Sequence, residues 1–522
     1  MHIQEAYTMN SIAEIFDNSK QLLDGINGFI SKYIGCDLLR RCGIRKIVDS
    51  FTEKRDYEYA DNPILRLIGD VETSKVLPRC VSAKKLLTDK ILACFHTAAS
   101  PYLMFKTGTF FSDYSKDTFY RFDLNKKANW ERLQLETAKN VILDIESRTD
   151  KDHVNSLIFD DSLYRRTGGK GTDLCAKVFD HNDNKMRLGF RMMTGAWSNG
   201  ETYIPFLQSL LTTRKKHLMV GKDEHVDRRT LRGKRRAMAK EKGTVVVQSM
   251  VQDAQKAGIP FDYVLFDTWF SNPAQLVALK YIGADVIAMI KKNKTRYTIL
   301  DPTDDVVKSL DVKEIYSRFR KRPGCSKYLL CVNVKVSDQG GSSIPAKLVY
   351  ARNRNNKKQW VCFVCTDMRC SPDDILRIYT MRWACEVYFS IAKGYLKLRT
   401  ECHSTSYDAI TAHMVIVAIR YMILAVTRFE NTDERGIEEI MYGIQREVIN
   451  KMMDCAVILI IDTLLESIRV CFGATEDQIN ELVCVFISKL PEAWRCRFTA
   501  PQVGRNYFHL SQAVFVRVIC SF

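Results

Sequence analysis

Several features that would send this chain to other functional classes are missing. Nothing at its start, MHIQEAYTMNSIAEIFDNSK, joins a basic segment to an apolar run and a small-residue cleavage site. No secretion signal is therefore expected, and the chain is expected in the cytoplasm. An unbroken apolar run of membrane length is also lacking. The longest candidate, Ala409 to Phe429, is interrupted by His413 and Arg420, which are costly at mid-bilayer and ordinary on a helix packed against a sheet. No membrane partner is expected. Zinc-finger spacing is absent as well. The 17 cysteines are scattered from Cys36 to Cys520, and the one C-x-x-C, Cys362 to Cys365, has no second pair. On an alternating strand those two thiols fall on opposite faces, so reduced cysteines serving as small apolar side chains are expected.

Acidic residues are in the minority, 61 against 78 lysines and arginines, giving a formal charge of +17. Such an excess speeds encounter with polyanions, nucleic acid among them, without singling it out. A length of 522 residues accommodates about two to four domains at roughly 100–200 residues each.

Patterning along the chain divides it into five stretches. Residues 1–150 have mixed, largely helical periodicity with basic clusters at Arg40-Arg41 and Lys84-Lys85. In 151–290 the texture becomes strand and helix. Leu157-Ile158-Phe159 runs into Asp160-Asp161, and strand-like runs at Cys175–Phe179 and Met186–Met193 are joined by the turn formers His181-Asn182-Asp183-Asn184. Thr244–Ala257 reads as a helix, Tyr263–Phe266 as a buried strand ending at Asp267, Pro273–Tyr281 as a helix and Ala284–Ile290 as a strand. Strand, helix, strand implies a parallel or mixed sheet covered by helices. Residues 291–370 are strand-rich, with runs at Tyr328–Val336, Leu348–Tyr350 and Trp360–Cys365. Within 371–430, a helix over Asp373–Leu398 opens on Ser371-Pro372-Asp373-Asp374, a capping serine with proline at the first position and acids in the first turn. Residues 431–522 are expected to be a helical C-terminal region.

Between Arg214 and Lys242 the chain carries Arg228, Arg229, Arg232, Lys234, Arg235 and Arg236 with few apolar residues. It is expected to be exposed and mobile, either a solvated loop or, as preferred here, an arm that grips phosphates.

Asp161 and Asp267 each follow a short apolar strand, where a sheet presents side chains to a crevice. A lone aspartate there is more commonly a cap or turn residue, so the helix decides. On it Tyr379, Arg382, Glu386 and Lys393 fall within one narrow stripe at about 100° per residue, amid Ile378, Trp383, Val387 and Phe389. An ordinary Arg382–Glu386 surface pair would be worth a few tenths of a kcal/mol, but a stripe this narrow looks like the lining of a cleft.

The spacing Tyr379-x2-Arg382-x3-Glu386-x6-Lys393 resembles the Y-R-E-K signature of bacterial insertion-sequence DDE transposases of the cut-and-paste type. Asp160-Asp161-Ser162 is similar to that family's Asp-Asp-Thr motif, and Asp267-Thr268-Trp269-Phe270 to its Asp-x-Trp-Phe motif. The resemblance spans about residues 155–428. It implies a ribonuclease-H-like mixed sheet flanked by helices, with a β-rich insertion between the second Asp and the Glu, and helical N- and C-terminal regions, the first binding DNA ends. It implies Asp161, Asp267 and Glu386 as catalytic ligands of two Mg2+ ions, with Mn2+ able to substitute, and Asp160 as the fallback for Asp161. Oxygen ligands suit Mg2+, and two such ions can stabilise the attacking and leaving oxygens of a phosphodiester. Arg382, Lys393 and Tyr379 would hold phosphates, and Trp360 would either stack on a flipped base or simply pack in the core. The implied partners are double-stranded DNA, as element ends and as target, and a second copy in a synaptic homodimer. A nuclease without strand transfer and an inactive, repurposed DNA-binding relative remain as alternatives.

Overall fold

Strands buried on both faces need apolar side chains at nearly every position, and the central runs of this chain meet that demand. The computed structural model describes residues 26–44, 47–48, 80–95, 100–107, 114–150, 152–180, 183–300, 309–323, 326–353, 356, 358–430 and 436–489. His181 and Asn182 of the expected turn, and the terminal residues Trp494, Arg495 and Arg497, lie outside them. The chain divides into two compact units. The larger contains residues 32–86 and 112–438; the smaller contains residues 1–31, 87–111 and 439–522. Described parts of the smaller unit are helical, including Pro101–Thr107, most of Ile437–Phe472, and Glu476–Lys489.

In the larger unit, helix α1 (Trp130–Arg148) is capped by Asn129, whose side chain accepts from the Arg132 amide. Strands β1 (Ser156–Arg165), β2 (Ala176–Asp180), β3 (Lys185–Ser198) and β4 (Tyr203–Leu211) follow. Helices α2 (Leu231–Ala239) and α3 (Gly243–Ala257) lead to β5 (Tyr263–Phe266), α4 (Pro273–Tyr281) and β6 (Asp285–Met289). Strands β7 (Arg296–Ile299) and β8 (Ser309–Asp311), helix α5 (Val312–Arg318), and strands β9 (Leu330–Ser337), β10 (Ser343–Arg352) and β11 (Trp360–Cys365) complete the sheet. Helix α6 (Pro372–Tyr379), a 3-10 turn at Thr380–Arg382, α7 (Trp383–Gly394) and α8 (Tyr407–Glu430) close the unit.

One mixed sheet of eleven strands runs β8-β7-β9-β10-β11-β6-β5-β1-β3-β2, with β4 also on β3. Only β1–β5 and β5–β6 are parallel pairs; every other pairing is antiparallel. The strand-rich stretch 291–370 does not stand apart as a sheet of its own. It extends the core sheet, because β11 pairs directly with β6. Residues 116–148 likewise belong to the same unit as the sheet, and α1 packs on β4 and α8.

Helix α8 is long and apolar enough to cross a membrane, yet its most apolar 18 residues are wholly buried in the protein. Its Arg420 is fully buried and is held by Glu401 at 2.7 and 2.9 Å and by the Leu396 carbonyl at 3.1 Å. That fork-to-carboxylate pairing compensates a charge the core would otherwise reject. Strand β4, which carries no charge and few turn signals, was not anticipated from the sequence; it lies against α1 and α8.

Candidate active site

The parallel pairing of β1 with β5 stops at Phe159 opposite Phe266. The next residues on the two strands are Asp160 and Asp267, so they fall side by side at the sheet's C-terminal edge, roughly 4.8 Å apart by strand spacing. β1 itself continues to Arg165 against β3 alone. Room for this turnover comes from Gly195, opposite Phe159, where a Cβ would lie 2.7 Å from the Phe159 ring.

Alternation along β1 puts Ile158, Asp160 and Ser162 on one face and Asp161 on the other. The helix stripe meets the Asp160 face. Arg382 Nη1 donates to Asp160 Oδ2 at 2.8 Å, and its Nη2 donates to Glu386 Oε1 at 2.7 Å. Lys393 donates to the Ser162 hydroxyl. Asp161 turns away into an ion pair with Arg191, whose Nε lies 2.7 Å from Asp161 Oδ2. The structure therefore brings together Asp160, Asp267, Arg382, Glu386 and Lys393, while Asp161 is engaged elsewhere. Arg191 was not singled out from the sequence; its only signal is a lone charge within Phe190-Arg191-Met192-Met193.

The expected continuous helix is broken at Arg382. Ser371 caps α6 by accepting from the Asp374 amide, Pro372 opens it, and the 3-10 turn then hands over to α7. Tyr379 packs edge-on against Phe363, with ring centroids 4.8 Å apart.

Electrostatics mark the cluster as anion-crowded. Burial, with Asp267 and Asp161 adding repulsion, pushes the Asp160 carboxyl up to about 7 despite Arg382. Burial also raises Asp267. Tyr379 is pushed up to about 12, chiefly by burial. Burial brings Lys393 down to about 8, with Arg399 adding to the effect. Burial works against the Arg382 charge, yet Tyr379, Asp160 and Glu386 together hold that guanidinium above its usual value.

Among the described residues, no three His, Cys, Asp or Glu side chains converge as a ready-made metal cage. The gap between the strand carboxylates and Glu386 is spanned by a guanidinium instead. The donor set is nonetheless all oxygen, which fits a hard divalent cation.

Trp360 projects from the same edge of the sheet. It stacks on Tyr316 at 4.7 Å and touches Tyr350 at 5.2 Å, and Lys292 sits 4.1 Å above its ring. The basic run needs correction. Arg232, Arg235 and Arg236 are not on a mobile arm: they lie on α2 and converge on Asp408 at 2.7, 2.7 and 3.1 Å. Glu131 also holds Arg235, and Asp173 holds Arg236. Arg228, Arg229 and Lys234 remain exposed, with Arg229 paired to its neighbour Asp227.

Two family models match the chain. One, the DDE superfamily endonuclease, covers residues 85–307; the other, the transposase DDE domain, covers residues 232–423. These matches support a DDE transposase. Domains of this kind normally act on DNA with divalent metal ions, and the two matched stretches together take in all four carboxylates of the site region. A comparison with curated proteins gave no match.

Proposed function

We propose that this protein is a transposase that cuts DNA at the ends of an insertion sequence and joins those ends to target DNA, with Asp160, Asp267 and Glu386 as its catalytic carboxylates. The observation that carries this reading is the register of β1 on β5, which sets Asp160 beside Asp267 on the face that Arg382 and Glu386 approach. Asp160 is preferred to Asp161 because Asp161 is committed to Arg191 on the opposite face. The strand order β4-β3-β1-β5-β6, three antiparallel strands followed by two parallel ones, supports a ribonuclease-H-like core.

Two Mg2+ ions, or Mn2+ in their place, would be held by those three carboxylates; when bound they would stabilise the attacking and leaving oxygens of the phosphodiester. The chain's own contribution is positioning and charge. Arg382 offers a planar fork of donors to a phosphate, and Lys393 adds a point charge further along α7. Tyr379 adds a hydroxyl held by its contact with Phe363. Exposed Arg228, Arg229 and Lys234 suit the DNA backbone. Trp360 is suited more to supporting its aromatic stack than to receiving a flipped base. Transposition requires two ends in one complex, for which a homodimer is the simplest assembly.

The test is metal-dependent cleavage of duplex DNA bearing the element's own end sequences, using the intact protein, Asp160→Asn and Glu386→Gln. Cleavage by the intact protein, with DNA binding but no cutting by either variant, is expected. Binding without cutting by the intact protein under Mg2+ and Mn2+ would leave only a DNA-binding role.

A further inference from the structure

Two of the carboxylates that would hold metal are already bridged by a cation that belongs to the chain. Arg382 uses its two terminal nitrogens on carboxylates from different elements, Asp160 on β1 and Glu386 on α7, at 2.8 and 2.7 Å. Its side chain and that of Asp160 are each only 17% exposed, whereas the Glu386 side chain is 41% exposed, so the bridge joins a sheltered carboxylate to one that solvent reaches. Its Nε is buried without a hydrogen-bond partner, and the guanidinium also lies 6.0 Å from the Tyr379 ring centroid. The backbone at this point is the 3-10 turn Thr380–Arg382, which separates two α-helices and is the one place in the stripe where the regular helical ladder lapses. Such a turn commonly marks a hinge.

We propose that Arg382 is a built-in counter-ion occupying the place of the divalent cations, so that metal binding and transfer of the guanidinium to a DNA phosphate are coupled. This rests on Asp160, Asp267 and Glu386 being the metal-holding groups. A guanidinium and a divalent ion repel one another at such short range and compete for the same oxygens. Metal therefore displaces Arg382, and the released fork matches the geometry of a phosphate. Each ligand then favours the conformation the other needs, and by reciprocity metal tightens DNA binding by the factor by which DNA tightens metal binding. Without metal or DNA, the same bridge offsets the repulsion between these half-buried carboxylates.

The experiment is titration calorimetry of Mn2+ into the full-length protein, with and without a duplex carrying an element end, for wild type, Arg382→Met, Arg382→Gln and Asp160→Asn. Circular dichroism checks the fold of each. Removing the competitor is expected to tighten Mn2+ binding in the absence of DNA by roughly tenfold, within the usual span of about 5–150-fold for such couplings. The effect of DNA on Mn2+ affinity is expected to shrink toward none in both Arg382 variants. If wild type binds Mn2+ and Asp160→Asn does not, but both Arg382 variants bind it equally or more weakly, the counter-ion proposal falls while the carboxylate assignment survives. If Asp160→Asn binds Mn2+ as well as wild type, the carboxylate assignment itself is overturned, and the proposal with it.

Discussion

Asp408 separates two readings of the basic run most sharply. Its carboxylate is 5% exposed and accepts from Arg232, Arg235 and Arg236 on α2, which brings the first turn of α8 under that helix. Asp408→Asn keeps the shape and removes the shared charge. Three charge-assisted bonds at about 1.5–3 kcal/mol each would be a large loss. However, Glu131, Asp173 and Glu224 still partner the three arginines, and the asparagine carbonyl still accepts. The loss is therefore set at about 3 kcal/mol, the low end of what breaking a buried pair costs. At about 2.1 cal/mol/K of unfolding entropy per residue, a unit of this size shifts by roughly 1.2 °C per kcal/mol, so melting falls by roughly 4 °C, with little dependence on salt because the cluster is shielded from it. Differential scanning fluorimetry reads the shift, and fluorescence anisotropy with labelled duplex reads DNA affinity. If melting moved by less than about 2 °C while DNA affinity rose, the arginines would be a phosphate arm held back by Asp408, and the buttress described here would be refuted.

Asp160→Asn is expected to abolish cleavage, whereas Asp161→Asn retains measurable cleavage and loses chiefly the Arg191 contact; the reverse ranking in a plasmid-nicking assay would restore Asp161 as the ligand. Because its folded pKa is raised to about 7, Asp160 contributes stability when protonated and loses it as pH rises from the ordinary carboxylate range through about 7. In EDTA, Asp160→Asn is accordingly expected to raise the melting temperature at pH 8 and leave it nearly unchanged at pH 4; equal shifts at both pH values would contradict this. Lys393 loses its charge as pH rises through about 8, so DNA-end affinity should decline there in wild type and persist to higher pH in Lys393→Arg, as gel shift at constant ionic strength would show.

Much of the site was legible in the chain. The apolar runs before Asp160 and Asp267, and the spacing of Tyr379, Arg382, Glu386 and Lys393, both survive in three dimensions. The preference proposed for Asp160 over Asp161 was not legible, because it rests on which side of the pleat faces the helix, and that shows only in the contact of Arg382 with Asp160. The basic run misled for a different reason. Arginines count as solvated until their counter-charges are known, and Asp408 lies 172 residues beyond Arg236. Strand β4 was missed because it is buried at nearly every position and holds Pro205, so its run shows no alternation, although it pairs as a hairpin with β3 just before it. The break at Arg382 was hidden because residues on either side of it keep helical spacing.

The continuity of the sheet also has a consequence in time. Strand β6 is complete at Met289, but its antiparallel neighbour β11 ends only at Cys365, 76 residues later. At about 5–20 residues per second of synthesis, that amounts to roughly 4–15 s. During those seconds the central strands of the nascent chain present an unpaired apolar edge, the kind of surface that recruits other strands. A fragment ending anywhere between Ile290 and Trp360 keeps that edge permanently, and aggregation, rather than a smaller soluble domain, is what such a truncation should yield.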